Sequence, residues 1–155
     1  MNPPTVAPTL YFGYGSNLGK RQMALRCPHH RDAGRASLPG YRWIISRRGV
    51  ANVVIAAGDA VERMLFEISA SDEAALDIAE GVAKGRYAKH HLPVVQNGVE
   101  RTAMLYIDPI VEMGVARSEY VQRINTAVAD AQLPVEYVTK YIRQFIPTPE
   151  AAHPA

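Results

Sequence analysis

The stretch Tyr11–Lys20 reads YFGYGSNLGK: aromatic residues, glycines at 13 and 15, a Ser-Asn pair, then a helix-like continuation through Arg21, Met23 and Leu25. Leu10–Gly13 has the content of a short buried strand, and Ser16 or Asn17 suits the N-cap of a helix ending before Pro28. Strand, tight loop and helix in that order suggest a phosphate loop, but both standard spellings fail. A Walker A reading puts Tyr14 where the first glycine belongs and Arg21 in place of the magnesium-binding hydroxyl. The dinucleotide fingerprint begins at Gly13 and Gly15 but meets Leu18 at its third glycine. What survives is the mechanism beneath both motifs: glycines admit a ligand close to the backbone, and unpaired N–H groups before a helix form an anion-binding concavity suited to a carboxylate. From local sequence the loop either binds in this way or merely turns the chain.

Working outward, Tyr41–Ser46 and Val50–Ala56 are β-branched, apolar segments separated by Arg47-Arg48-Gly49, which predicts a hairpin; Val61–Ile68 reads as a further strand. Ser71-Asp72-Glu73 opens a short helix, with acids where the helix dipole favours them, and Gly81 stops it. Tyr87–Val95 and Glu100–Ile107 flank Asn97-Gly98, a dipeptide suited to a tight hairpin turn. Ser118 caps a helix with Val121, Ile124 and Val128 on one stripe, and Pro134 opens another bearing Val135, Val138, Ile142 and Phe145. Hairpin-joined strands with inserted and appended helices predict an α+β domain with a curled, mainly antiparallel sheet. That domain spans residues 10–146, with proline-rich flexible termini at 1–9 and 147–155.

The chain has 155 residues, 48% hydrophobic and 21% charged, enough for one domain with its own core. A net charge of +2 and a pI near 8.8 come without a basic run interleaved with aromatics, so no nucleic-acid partner is expected. No window reaches the length of a membrane span, and MNPPTVAPT has neither a basic nor an apolar leader region. Cys27 is the one cysteine, which excludes an intrachain disulfide and suits a cytoplasmic location. Cys27 with His29 and His30 lacks ordinary zinc spacing, and His90 and His91 on a strand point to opposite faces, so no metal site is expected.

In LDIAEGV, Leu76, Ala79 and Glu80 stand at i, i+3 and i+4, so Glu80 shares the inward face of its helix. A glutamate partly removed from water has a raised pKa and becomes a proton shuttle matched to neutral pH. The alternative is that Glu80 leans to solvent or pairs with Lys84 or Arg86.

Together these segments resemble the γ-glutamylcyclotransferase family, a cyclotransferase-like group that includes γ-glutamylamine cyclotransferases. YFGYGSNL matches the family's Tyr-Gly-Ser-Asn-Leu loop; MALRCP, LPGYRW and GVANVV match the segments after it; LDIAEGVAKGRY resembles its catalytic segment; SEYVQRI and LPVEYV resemble its C-terminal helices. The resemblance runs from about Tyr11 to Phe145. It implies a small, partly closed β-barrel with flanking helices, an active site at one mouth, no metal or organic cofactor, a small γ-glutamyl substrate, and a homodimer as one assembly to expect. In the implied reaction the substrate's α-amino group attacks its own γ-carbonyl, releasing 5-oxoproline and an amine or amino acid. Glu80 matches the catalytic glutamate, base first and then acid. Tyr14, Gly15, Ser16, Asn17 and Leu18 match the substrate loop, Tyr87 matches a site tyrosine that is otherwise a core aromatic, and Tyr120 is a further substrate-binding candidate.

Two departures bear on this. Where the family has Val-x-Gly, this chain has Val61-Glu62-Arg63. A lone strand arginine is expected to face solvent; the alternative is that Arg63 enters the barrel mouth and reshapes the pocket, at the extreme leaving a catalytically silent carboxylate-binding module. The family's Pro-Ser before the later helix is Arg117-Ser118 here, on a loop bordering the leaving-group side. Tyr137 and Tyr141, at i and i+4, are read as packing residues.

Overall fold

Alternation along each strand sends side chains into two separate cores, and this divides the molecule. The computed structural model describes residues 9–15 and 20–149, and of residues 20–22 only the backbone. Its strands are β1 (Thr9–Gly13), β2 (Arg31–Ile45), β3 (Ala51–Ile68), β4 (Ala88–Gln96) and β5 (Val99–Ile107). They close into a barrel in the order β1-β3-β2-β4-β5, antiparallel except where β1 meets β5 in parallel at Tyr11 and Met104. The curled, mainly antiparallel sheet expected from the sequence is therefore present as the barrel that the resemblance implies, closed rather than partly closed, with one parallel seam.

Phe12, Val61, Leu65, Ala103 and Leu105 belong to the larger core. Helix α3 (Ser118–Ala131) and the C-terminal helical segment add Ile124, Ala127, Tyr137 and Ile142 to it. The alternate residues Tyr11, Phe66, Met104 and Tyr106 form a second core with Met23 and Cys27 from the α1 region and Leu76 from α2. Here α1 is Lys20–Arg26 and α2 is Ala70–Ala79. Each large apolar side chain so buried contributes on the order of 1.5–3 kcal/mol.

Several elements differ from the sequence reading. The segments Val50–Ala56 and Val61–Ile68 are one strand of 18 residues, and β2 begins ten residues earlier than Tyr41. Register shifts in β2 between Asp32 and Arg35 and between Pro39 and Tyr41, with Gly34 at φ 84° and Gly40 at φ 80°, let it bend around the barrel while staying paired. The α2 cap is Ser69, not Ser71: its hydroxyl accepts from the Asp72 N–H at 3.1 Å and its N–H donates to Asp72 Oδ2 at 3.3 Å. The α3 cap is Arg117, one residue before Ser118, and its buried stripe is Tyr120, Ile124, Ala127, Val128 and Ala131. After Pro134, α4 (Val135–Tyr137) runs into a π-helical turn, Val138–Ile142, which buries Tyr137, Val138, Tyr141 and Ile142 and leaves Val135 exposed. Tyr137 and Tyr141 do pack, with ring centroids 5.1 Å apart. Residues 1–8 and 150–155 of the expected termini lie outside the described residues, whereas Thr9 already pairs with Ile68 and the Pro147 carbonyl accepts from Asn125.

The capping box of α2 fixes the start of the helix that ends at Glu80. Ser69→Ala is expected to cost about 1 kcal/mol of stability, lowering Tm by about 2–4 °C for a chain of this length, as read by thermal unfolding followed by circular dichroism.

Candidate active site

Tyr14 leaves β1 with both of its polar groups fixed. Its hydroxyl donates to the Tyr106 carbonyl, and its own carbonyl accepts from Trp43 Nε1 at 2.8 Å and Arg63 Nε at 3.2 Å. The next residue is glycine for a spatial reason: a Cβ at Gly15 would lie 3.1 Å from the Tyr120 hydroxyl. That hydroxyl accepts from the Ala51 N–H at 3.1 Å, so the end of β1, the start of β3 and the first turn of α3 meet at one place.

Glu80 arrives from the opposite side as the residue that ends α2. Its N–H still bonds to the Leu76 carbonyl at 2.8 Å, and Gly81, at φ 64°, then turns the chain away. This left-handed position is where glycine is favoured. The Glu80 side chain is 17% exposed and stands 3.6 Å from Arg26 Nη1, in the last turn of α1. Arg26 is thus a charge partner of Glu80 that neither sequence reading of this carboxylate named.

Between these elements lies a cavity of about 190 Å³. Tyr14, Gly15, Glu80, Tyr87 and Tyr120 all line it, together with Tyr11, Ala51 and Tyr106. Arg26, Arg117, Glu119 and Arg123 contribute the charged part of its lining. Ser16, Asn17 and Leu18, the rest of the anticipated loop, lie outside the described residues. Tyr87 is a cavity residue and not simply a core aromatic. Arg48 lies 5.5 Å above its ring and 3.4 Å from the buried Asp108 carboxylate.

Burial, then Tyr87 and Glu80, push the Tyr14 phenol well above its ordinary pKa. Burial and then Glu80 raise Tyr87 in the same direction. Burial and the bond from its hydroxyl to Asp77 Oδ1, at 2.7 Å, raise Tyr106. All three are neutral phenols at neutral pH, able to donate hydrogen bonds but not to act as tyrosinate bases. Glu80 is accordingly a cavity carboxylate that has neutral phenols and the Arg26 guanidinium for neighbours.

The other candidates separate from the cavity. Cys27 is fully buried, and burial followed by Asp72 pushes its thiol up to about 11, so it carries little thiolate at neutral pH. His30 contacts the Cys27 carbonyl at 2.7 Å and Asp32 at 3.6 Å, and His90 and His91 are exposed on β4. Among the described residues no group of three or more His, Cys, Asp or Glu could hold a metal ion, and no helix is long and apolar enough to cross a membrane.

Arg63 corrects the solvent-facing expectation. It lies between Val61 and Leu65 on the inward parity of β3 and is 0% exposed. Its guanidinium sits 5.3 Å from the Trp43 ring centre and 5.7 Å from that of Tyr137, and its Nη1 donates to the Glu62 carbonyl at 2.8 Å. It supports Tyr14 from within the barrel and does not line the cavity, which remains open. Sequence reading missed Tyr11, Arg26, Tyr106, Glu119 and Arg123. Strand alternation placed the two tyrosines on one face, but no local signal says that this face borders a pocket.

Comparison with known proteins bears on the family and the fold. The chain is 28% identical over 142 residues to the γ-glutamylcyclotransferase of Homo sapiens, covering 84% of this chain and 76% of the human protein; the Bos taurus γ-glutamylcyclotransferase matches equally. A solved γ-glutamyl cyclotransferase structure superposes with a TM-score of 0.81 at 25% identity, covering 95% of this chain and 93% of that one. The YkqA structure from Bacillus subtilis shares the fold, with a TM-score of 0.76 at 23% identity over 93% of this chain and 56% of its own. The sequence model of the AIG2-like family matches residues 60–141, just over half of the chain and including Glu80, Tyr87 and Tyr120, and the chain belongs to that family.

Proposed function

We propose that the chain is a γ-glutamylcyclotransferase-type enzyme, converting a γ-glutamyl compound into 5-oxoproline and a free amine or amino acid in the cytoplasm. The observation that carries this reading is the convergence of Glu80 and Gly15 on one cavity that neutral phenols, three arginines and Glu119 also line. The relatives named above support it.

The chemistry asks little of the protein beyond placement. The nucleophile is part of the substrate, so the site must fold the glutamyl chain toward ring closure, which replaces an encounter with a positioned intramolecular attack. Glu80 takes a proton from the α-ammonium, the freed amine attacks the γ-carbonyl, and the new C–N bond closes the five-membered ring. The developing oxyanion is held by N–H groups at Gly15 and, by resemblance, at Ser16, Asn17 and Leu18. Glu80 then gives that proton to the leaving nitrogen as the original amide C–N bond breaks, and the ring nitrogen sheds its second proton, by way of Glu80, to the departing amine, which leaves as an ammonium; no water is consumed. Tyr87 and Tyr120 orient the substrate, and the arginines of the cavity suit its carboxylate.

Arg63 leaves the cavity open, so the geometry does not favour the silent binding module. Glu80→Gln keeps size and shape while removing the proton acceptor, and is expected to lower the rate of 5-oxoproline release by about 10²–10⁴-fold with Tm nearly unchanged; retained turnover would contradict the assignment. Tyr87→Phe removes a neutral donor, so kcat/KM should fall while both limbs of its pH profile stay where they are in the parent enzyme. A displaced limb would instead show that Tyr87 itself titrates in the working range.

A further inference from the structure

The barrel interior holds a charge that the proposed chemistry does not yet use. Arg63 is fully buried, no acidic side chain is paired with it among the described residues, and its Nη2 has no hydrogen-bond partner there. Its fixed neighbours are the Trp43 and Tyr137 rings and two main-chain carbonyls, those of Tyr14 and Glu62. Burying a cation in this way is costly, and replacing it with an apolar side chain of similar size is often neutral or stabilising. Stability alone therefore gives a poor account of an arginine here.

The Tyr14 carbonyl points the other way, toward a role in the cavity. It accepts from two donors at once, one of them charged. The Tyr14–Gly15 peptide is trans, so its N–H is directed opposite to its C=O. With the carbonyl turned into the barrel toward Trp43 and Arg63, the Gly15 N–H is directed out of the interior, at the residue that lines the cavity. Hydrogen bonds to the carbonyl of a peptide withdraw electrons from it and strengthen its N–H as a donor, more so when the partner is a cation in a low-dielectric interior.

We propose that Arg63 is a positioning residue for the cyclisation: from inside the barrel it orients and polarises the Tyr14–Gly15 peptide, sharpening the Gly15 N–H as a donor to the oxyanion that develops on the γ-carbonyl. This rests on the cyclotransferase reading and assigns a specific task to the residue that occupies the place of a glycine in the resembled pattern. The effect belongs to the transition state, where the oxygen carries charge, and so falls on kcat rather than on KM.

The test compares the parent protein with Arg63→Lys, Arg63→Gln and Arg63→Met, measuring kcat and KM for 5-oxoproline release from γ-glutamyl-alanine, and Tm, for each. Lysine keeps the charge, glutamine keeps a neutral donor, and methionine keeps neither. The expected result is a fall in kcat in the order lysine, glutamine, methionine, reaching about 10-fold or more for methionine, with KM held within about twofold and Tm not following that order. If Arg63→Met does not fold, the lysine and glutamine variants carry the same comparison. Parent-like kcat in the charge-free variants, or kcat that simply tracks Tm through the series, overturns the role of Arg63 and leaves the cyclotransferase reading intact. Absence of 5-oxoproline release by the parent protein from γ-glutamyl-alanine and from a panel of other γ-glutamyl amino acids and amines overturns both.

Discussion

The Tyr14 carbonyl is held by the Trp43 indole and the Arg63 guanidinium, while the Tyr14 hydroxyl is held by the Tyr106 carbonyl. These bonds tie the end of β1 to β2, β3 and β5 at once, so the Tyr14–Gly15 peptide is set by three strands of a closed sheet. Anchored here, Gly15 is held against the Tyr120 hydroxyl, which is itself fixed by the Ala51 N–H. Rigid support of this kind is what an oxyanion or carboxylate site requires, because donors that must reorganise during the reaction contribute little.

The same barrel also governs where Glu80 stands. Tyr11, Phe66, Met104 and Tyr106 make the outward core on which Leu76 and Cys27 rest. The Tyr106 hydroxyl bonds Asp77, which with Glu73 also receives Lys89 from β4. One side of α2 is thus tied to two strands, and its C-terminal residue ends at the cavity with Arg26 beside it. Loop and carboxylate are consequently referred to one frame, from opposite faces of the sheet.

Much of this was legible in the sequence where local chemistry dominates. The strand into Gly13, the stop at Gly81 and the Asn97-Gly98 hairpin, with φ 51° and 77°, each rest on local residue preferences, the latter two on residues that tolerate positive φ. Glu80 and Gly15 were found by pattern and resemblance and do share a cavity. The length of β2 and β3 was not legible because Pro39, Gly40 and Gly58 are residue types that ordinarily interrupt strands, whereas here they lie within strands that bend around the barrel. Ser69 was passed over for Ser71, since both precede the acidic turn and only Asp72 reaching back distinguishes them. Arg63 was misplaced although Val61 and Leu65 share its parity; the cost usually attached to a buried cation outweighed the alternation. Arg26, distant in sequence from Glu80, could not be paired with it before α1 and α2 were brought together.

The account stands on the claim that the Tyr14–Gly15 peptide and Glu80 act on the two ends of one forming lactam. A crystal structure of the protein with 5-oxoproline bound tests this most directly. It should show the lactam carbonyl oxygen within hydrogen-bond distance of the Gly15 N–H and the ring nitrogen within reach of the Glu80 carboxylate. A product bound outside this cavity, or inside it with the ring nitrogen turned away from Glu80, would contradict the claim.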